Sequence, residues 1–326
     1  MRPYIDLHCD TLMQALMAGQ QDVCHFEKAM VDVDRLQQGG CLAQFFAIFM
    51  PPLSYRAKLG DKLPDDDTYI RLLHGILMNT INQSDGRLAL ARSAGDLAAN
   101  RSAGKCSAFL TIEDGRPVEG RMEKLEKYYE LGIRLISLTW NDANCFGFPN
   151  SKNSQEMALG LTPFGKDAVQ QMQELGMLVD VSHLSDGGFW DIAKLCKKPF
   201  VASHSNCRAI NPHPRSMSDE MIRTLADHGG VMGVNFGPQF LTGDIANQES
   251  HISDILAHLR HMINVGGVDC AAIGTDFDGI SGQLEISSAH QVPHLFQAME
   301  QAGFTATEID AVAEKNILRL LSDTLS

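Results

Sequence analysis

Eight short apolar runs, rich in β-branched and aromatic residues, recur along this chain. They begin at Tyr4 (YIDLHCD), Leu42 (LAQFFAIFM), Ser107 (SAFLTIED), Leu135 (LISLTW), Leu178 (LVDVSH), Phe200 (FVASHS), Gly230 (GVMGVNF) and Cys270 (CAAIGTDF). They are too continuously apolar for a sheet with one wet face and suit parallel strands buried on both. Between them lie helix-period patterns, among them DTYIRLLHGILMNTI, GKDAVQQMQEL, DEMIRTLADHG and ISDILAHLRHMI. Several end in glycine, where a left-handed cap is expected. Eight such alternations, with no linker or low-complexity tract, predict an α/β chain folded as one (β/α)8 TIM barrel over residues 1–326. A doubly wound open sheet shares the alternation, but no glycine-rich phosphate loop follows the first strand. The polar, proline-containing segment from Ser54 to Asp66 reads as a loop. The final stretch TATEIDAVAEKNILRLL reads as a packing helix capped by Thr305, with Glu308 three residues on.

Composition bounds the function. The 326 residues, 44% hydrophobic and 21% charged, can bury a large core, and a net charge of -13 argues against a nucleic-acid partner. A strand-like run starts almost at Met1, so no signal peptide is expected. The most apolar stretch, CLAQFFAIFMPPL, is too short to span a bilayer, so no membrane contact is expected. The eight cysteines (Cys9, Cys24, Cys41, Cys106, Cys145, Cys196, Cys207, Cys270) form no C-x-x-C pair. They read as free thiols in a reducing cytoplasm, mostly core residues.

Ionisable residues gather at the C-terminal ends of the strand runs: His8 and Asp10, Glu113, His183, His204 and Asp276. In a barrel these ends share one mouth. His8 and Asp10 are two apart, a spacing that puts both side chains on one face of a strand and turns Cys9 to the other. So many buried charges without a counter-ion cost several kcal/mol each, which a metal offsets. Nitrogen and oxygen donors without thiolate suit zinc and leave manganese, cobalt or iron open. They are too many for one catalytic zinc; two metals with a bridging carboxylate use them all.

The ordered motifs DLHCDT, TIEDG, LTWNDAN, LGMLVDVSHLS, VASHSNCRAINPHPR, GVNF and IGTDFDG, running from His8 to Gly279, closely resemble the membrane (renal) dipeptidase family, whose bacterial members are often soluble. The resemblance implies a binuclear zinc dipeptidase. His8 and Asp10 would hold one Zn2+, His183 and His204 the other, and Glu113 would bridge them. Asp276 matches the catalytic carboxylate, and Arg215 matches the arginine that holds the substrate's C-terminal carboxylate. The same resemblance implies a small dipeptide substrate, tolerance of a D-residue at its C-terminal position, and a homodimer. It gives His213 and Arg208 no role, and Asp278 reads as a turn residue.

Two departures touch the substrate pocket. Trp140 stands where many members carry a histidine, and Gly237 where a tyrosine often follows the NF pair. Trp140 cannot carry positive charge, so the oxyanion falls to the metals, with Asn141 or Asn144 as candidate helpers. Two other readings stay open: an amidohydrolase-type barrel acting on cyclic amides, lactones or phosphate esters, and an inactive barrel kept as a binding protein. The former commonly starts with His-x-His and uses a carboxylated lysine; here Asp10 and Glu113 occupy the corresponding places.

Overall fold

A computed structural model describes residues 2–52, 63–244 and 246–325. Residues 54–62 of the segment expected as a loop lie outside the described residues, and at its other end Asp66 already opens the helix Asp66–Gln83, capped by the Asp65 side chain.

Eleven strands occur among the described residues: β1 (Tyr4–Cys9), β2 (Cys41–Phe49), β3 (Leu88–Leu90), β4 (Cys106–Glu113), β5 (Ile133–Ser137), β6 (Leu178–Asp180), β7 (Val201–Ser205), β8 (Val231–Val234), β9 (Glu249–Ser250), β10 (Ala271–Ile273) and β11 (Gln283–Leu284). Eight of them pair in the order β2-β1-β10-β8-β7-β6-β5-β4, and β4 returns to β2 along Ala43–Phe49 against Ser107–Glu113. Every pairing is parallel, so the sheet closes into a (β/α)8 barrel with its helices outside. All eight apolar runs supply a barrel strand. The sequence reading missed β3, which takes the lower part of the β4 edge at Cys106–Ala108, below the stretch where β5 pairs.

One apolar cluster contains a residue from each barrel strand: Ile5, Phe45, Phe109, Leu135, Leu178, Val201, Val231 and Ala272. This is the barrel interior, with Phe45 and Phe109 stacked at 4.7 Å. Ile317, Leu320 and Leu321 pack onto it from the C-terminal helix. That helix begins with the expected capping box between Thr305 and Glu308 and carries a π-turn at Ala311–Lys315. The eight cysteines are unpaired, and Cys9 lies in the apolar layer outside this interior, as expected. No helix among the described residues is long and apolar enough to cross a membrane.

A histidine that the sequence reading passed over ties the loops above β7 and β8 together. His258, on the apolar face of the helix Ile252–Gly266, accepts from the Cys207 N–H at 3.1 Å and reaches the Leu241 carbonyl at 2.9 Å. That pair of contacts needs a neutral ring. Burial lowers its pKa to about 4. Since the unfolded value is about 6.5, this residue's contribution is complete above that pH and is lost as pH falls toward 4, a change of about 3 kcal/mol. Denaturant unfolding at several pH values is expected to show a steeper loss across this window for the wild type than for His258→Ala; equal slopes would contradict it.

Candidate active site

The mouth at the C-terminal ends of the strands holds a cavity of about 550 Å³. Its lining includes Asp10, Glu113, Trp140, His183, Arg215 and Asp276. Glu113 ends β4 and His204 sits within β7, whereas Asp10 lies just past β1 as the cap of the helix Thr11–Met17. The two side chains still meet as their two-residue spacing predicts, His8 Nε2 lying 3.5 Å from Asp10 Oδ2. β1 carries a register shift between Asp6 and Cys9, and β7 another between Ala202 and Ser205. Such irregularities re-aim side chains at barrel rims. His183 and Asp276 also lie beyond their strands, both with left-handed backbone, φ 68° and 61°. Non-glycine residues hold this conformation only where their surroundings fix it. For His183 they do: its carbonyl accepts from the Asn150 N–H (2.8 Å) and side chain (3.1 Å), and from Thr139 Oγ1 (3.3 Å).

The six residues converge around Glu113. Its Oε1 is 2.9 Å from His183 Nε2 and 3.4 Å from His204 Nε2, and those two nitrogens are 3.0 Å apart. Its Oε2 is 3.4 Å from His8 Nε2, which is also 3.5 Å from Asp10 Oδ2 and 3.8 Å from Asp276 Oδ1. Ligand atoms on a tetrahedral zinc, with bonds near 2.1 Å, stand about 3.4 Å apart. Both nitrogens of His8 and one oxygen of Asp10 are buried without a hydrogen-bond partner. Orphaned donors at ligand spacing fit a metal.

The electrostatics call for positive charge in the cluster: against the lowering effect of burial, the charges of Glu113 and Asp10 hold His8 well above the usual histidine value. Burial pushes Asp276 up to about 7, with Asp10 and Glu113 adding repulsion that His8 only partly offsets. Asp10 rises to about 6, chiefly through burial and the charge of Glu113. Burial and the neighbouring Arg215 bring His183 down to about 4, so its ring is neutral, as a ligand must be.

Asp276 is aimed by a residue the sequence reading missed. Asn235 in GVNF donates its amide to Asp276 Oδ2 at 2.7 Å, leaving Oδ1 toward the cluster; its own Oδ1 accepts the Gly237 N–H at 2.6 Å. A β-carbon on Gly237 would stand 3.0 Å from Asn235, Ile280 and Phe240, so this corner is filled without a tyrosine. Gly279 is required for space: a β-carbon there would lie 2.1 Å from Asp10 Oδ2 and 2.5 Å from Asp276 Oδ1. Gly279→Ala is expected to push these carboxylates apart, costing about 1–3 kcal/mol of stability and weakening metal binding. Unchanged zinc content and an unchanged melting temperature would refute that.

Arg215 is 8% exposed and donates Nη2 to the His204 carbonyl at 3.0 Å, while its Nε is buried without a partner. No carboxylate among the described residues forms a salt bridge with it. Arg208, by contrast, is taken up by Asp186 in a two-point contact at 2.7 and 2.8 Å. His213 lines the cavity and accepts the Arg215 N–H at 3.1 Å. Asp278 sits in a turn, and its carboxylate ties distant segments together, accepting from Thr11 and from the Met30 and Val31 N–H groups. Trp140 lines the cavity, edge-on to Phe49 at 5.0 Å and 6.0 Å from His183 between ring centres, with Asn141 beside it. Asn144 is not available to an oxyanion, because its amide is spent on Asp114 (2.7 Å) and the Leu138 carbonyl (2.8 Å).

The family model for membrane dipeptidase (peptidase family M19) matches residues 1–325. The chain belongs to the M19 membrane dipeptidase family. This M19 chain is 36% identical to a Klebsiella pneumoniae protein described as an uncharacterized protein in the pqqA 5' region, over 76% of this chain and 93% of the relative. It is 29% identical to an uncharacterized dipeptidase of Schizosaccharomyces pombe, covering 98% of this chain and 80% of the other. A Rhodobacter sphaeroides metallopeptidase liganded with a phosphinate mimic of the dipeptide L-Ala-D-Ala superposes with a TM-score of 0.87, 25% identity and 99% coverage of each chain.

Proposed function

We propose that this M19 chain hydrolyses the single peptide bond of dipeptides with two zinc ions in the barrel mouth. The observation that carries the reading is Glu113, whose Oε1 faces His183 and His204 and whose Oε2 faces His8, beside a cavity that also exposes Arg215, a guanidinium with no carboxylate partner among the described residues. His8 and Asp10 would hold one ion and His183 and His204 the other, with Glu113 shared. When bound, the pair supplies Lewis acidity toward the scissile carbonyl and makes water acidic enough to give a nucleophile at neutral pH.

The chain's own groups do the rest. Asp276 takes the proton from the attacking water and delivers it to the amine as the C–N bond breaks and the new C–O bond forms, a general base turning general acid. Arg215 clamps the substrate's terminal carboxylate with a planar two-point contact. That sets a fixed distance from carboxylate to reacting carbonyl, which selects dipeptides over longer peptides. Trp140 and Phe49 make the pocket wall apolar where many relatives carry a histidine, and Asn141 offers an amide beside it. Tolerance of a D-residue at the C-terminal position is part of this reading, supported by likeness to the metallopeptidase bound to an L-Ala-D-Ala mimic.

Release of free amino acids from a panel of L,L and L,D dipeptides by zinc-loaded protein tests the reading, and no turnover on any member would sink it. Arg215→Ala is expected to lower kcat/KM on free dipeptides about 10–100-fold, mainly through KM, while scarcely changing turnover of C-terminally amidated analogues. Equal losses on both substrate types would remove the clamp.

A further inference from the structure

Of the three imidazoles in the cluster, only His204 has a hydrogen-bond partner at Nδ1 among the described residues; the Nδ1 atoms of His8 and His183 are buried without one. That partner is Ser203 Oγ at 2.8 Å, and Ser203 Oγ is in turn 2.6 Å from Asp180 Oδ2. All three residues are fully buried. Asp180 Oδ1 accepts the backbone N–H groups of Ser182 and Ser203, each at 2.9 Å, and Oδ2 accepts the hydroxyls of Ser137 (2.5 Å) and Ser203 (2.6 Å). A carboxylate ringed by four donors is satisfied as an anion, which only accepts.

Proton counting then assigns the chain. Ser203 has one hydroxyl proton, and giving it to Asp180 leaves only lone pairs for its other neighbours. Ser182 Oγ, 3.3 Å away, already accepts the His204 N–H and keeps a proton for one of them. The other must receive a proton from His204 Nδ1. The ring therefore carries its hydrogen on Nδ1 and its lone pair on Nε2, the atom that faces Glu113 and His183. We infer that Asp180 and Ser203 form a positioning relay that fixes the His204 tautomer and holds its Nε2 lone pair toward the metal cluster. The metal half of this inference rests on the function proposed above; the tautomer half does not.

The substitution Asp180→Asn gives an asymmetric expectation. Its single carbonyl oxygen must stay with the two fixed backbone donors, so the NH2 group turns to Ser137 and Ser203. Ser203 then accepts from the amide and points its own proton at His204 Nδ1, moving the ring hydrogen to Nε2. The test is a long-range proton–nitrogen correlation spectrum of metal-free, 15N-histidine-labelled protein, with His204 assigned by its loss in His204→Gln, paired with zinc affinity by chelator competition. The wild type and Ser203→Thr should show His204 protonated on Nδ1. Asp180→Asn should show it protonated on Nε2, Ser203→Ala a mixture, and both should bind zinc about 10–100-fold more weakly. The Nε2–H form in the wild type, or an unchanged tautomer in both Ser203→Ala and Asp180→Asn, would overturn the relay. A changed tautomer with unchanged zinc affinity would overturn its metal half, and with it the place of His204 as a ligand.

Discussion

Glu113→Ala is expected to empty both halves of the metal site together. Its Oε1 stands 2.9 Å from His183 and 3.4 Å from His204, its Oε2 stands 3.4 Å from His8, and no other carboxylate among the described residues forms an ion pair with all three imidazoles. Without it His183 and His204 are two neutral rings 3.0 Å apart with no anionic donor, and His8 is left with Asp10 and Asp276 alone. A site with too few charged donors binds a divalent cation weakly. Zinc retained after dialysis should fall well below one per chain, and kcat/KM by at least about 10³-fold, since a single oxyanion donor is already worth ~10²–10³. Loss of one ion with the other retained would show that Glu113 serves one site only.

Asp276→Asn should separate chemistry from metal binding. The amide keeps the shape of the carboxylate, and its carbonyl oxygen can go on accepting from the Asn235 side chain at the 2.7 Å contact while Asn235 Oδ1 stays with the Gly237 N–H. It cannot shuttle a proton. Turnover is therefore expected to drop about 10²–10⁴-fold with zinc content and KM little changed. Asp276 Oδ1 is 3.8 Å from His8 Nε2 and Asp10 Oδ2 is 3.5 Å from it, so both carboxylates stand within ligand range of one imidazole and the variant separates a proton-transfer role from a ligand role. If the variant loses zinc as readily as Asp10→Asn does, Asp276 is chiefly a ligand.

The barrel was legible in the sequence because strands buried on both faces write themselves as continuous apolar runs, and every one of the eight became a barrel strand. β3 was not legible: three residues, LAL, between Arg87 and Ala91 bear no pattern distinct from the helices on either side. The polar residues of the site were legible as types and places, through their position at strand ends. How they converge was not. Strand alternation predicted that His8 and Asp10 share a face, and they meet at 3.5 Å, but neither the end of β1 before Asp10 nor the register shift between Asp6 and Cys9 is marked in the sequence. His183 and Asp276 reach the cluster through left-handed backbone, a conformation that no residue type there announces. The supports were the least visible part. Asn235, Gly279 and the Asp180–Ser203 pair act through hydrogen bonds and space across different strands, which spacing along one chain does not encode.

The claim on which the account turns is a two-metal dipeptidase site, and the direct measurement is a zinc titration of metal-free protein with hydrolysis of L-Ala-D-Ala and L-Ala-L-Ala followed at each addition. The account predicts that free alanine appears only as metal is added and that activity levels off at about two equivalents of zinc per chain, as a carboxylate-bridged pair requires. Zinc bound at no more than one equivalent with full activity, or two equivalents bound with neither dipeptide cleaved by the protein, would contradict it.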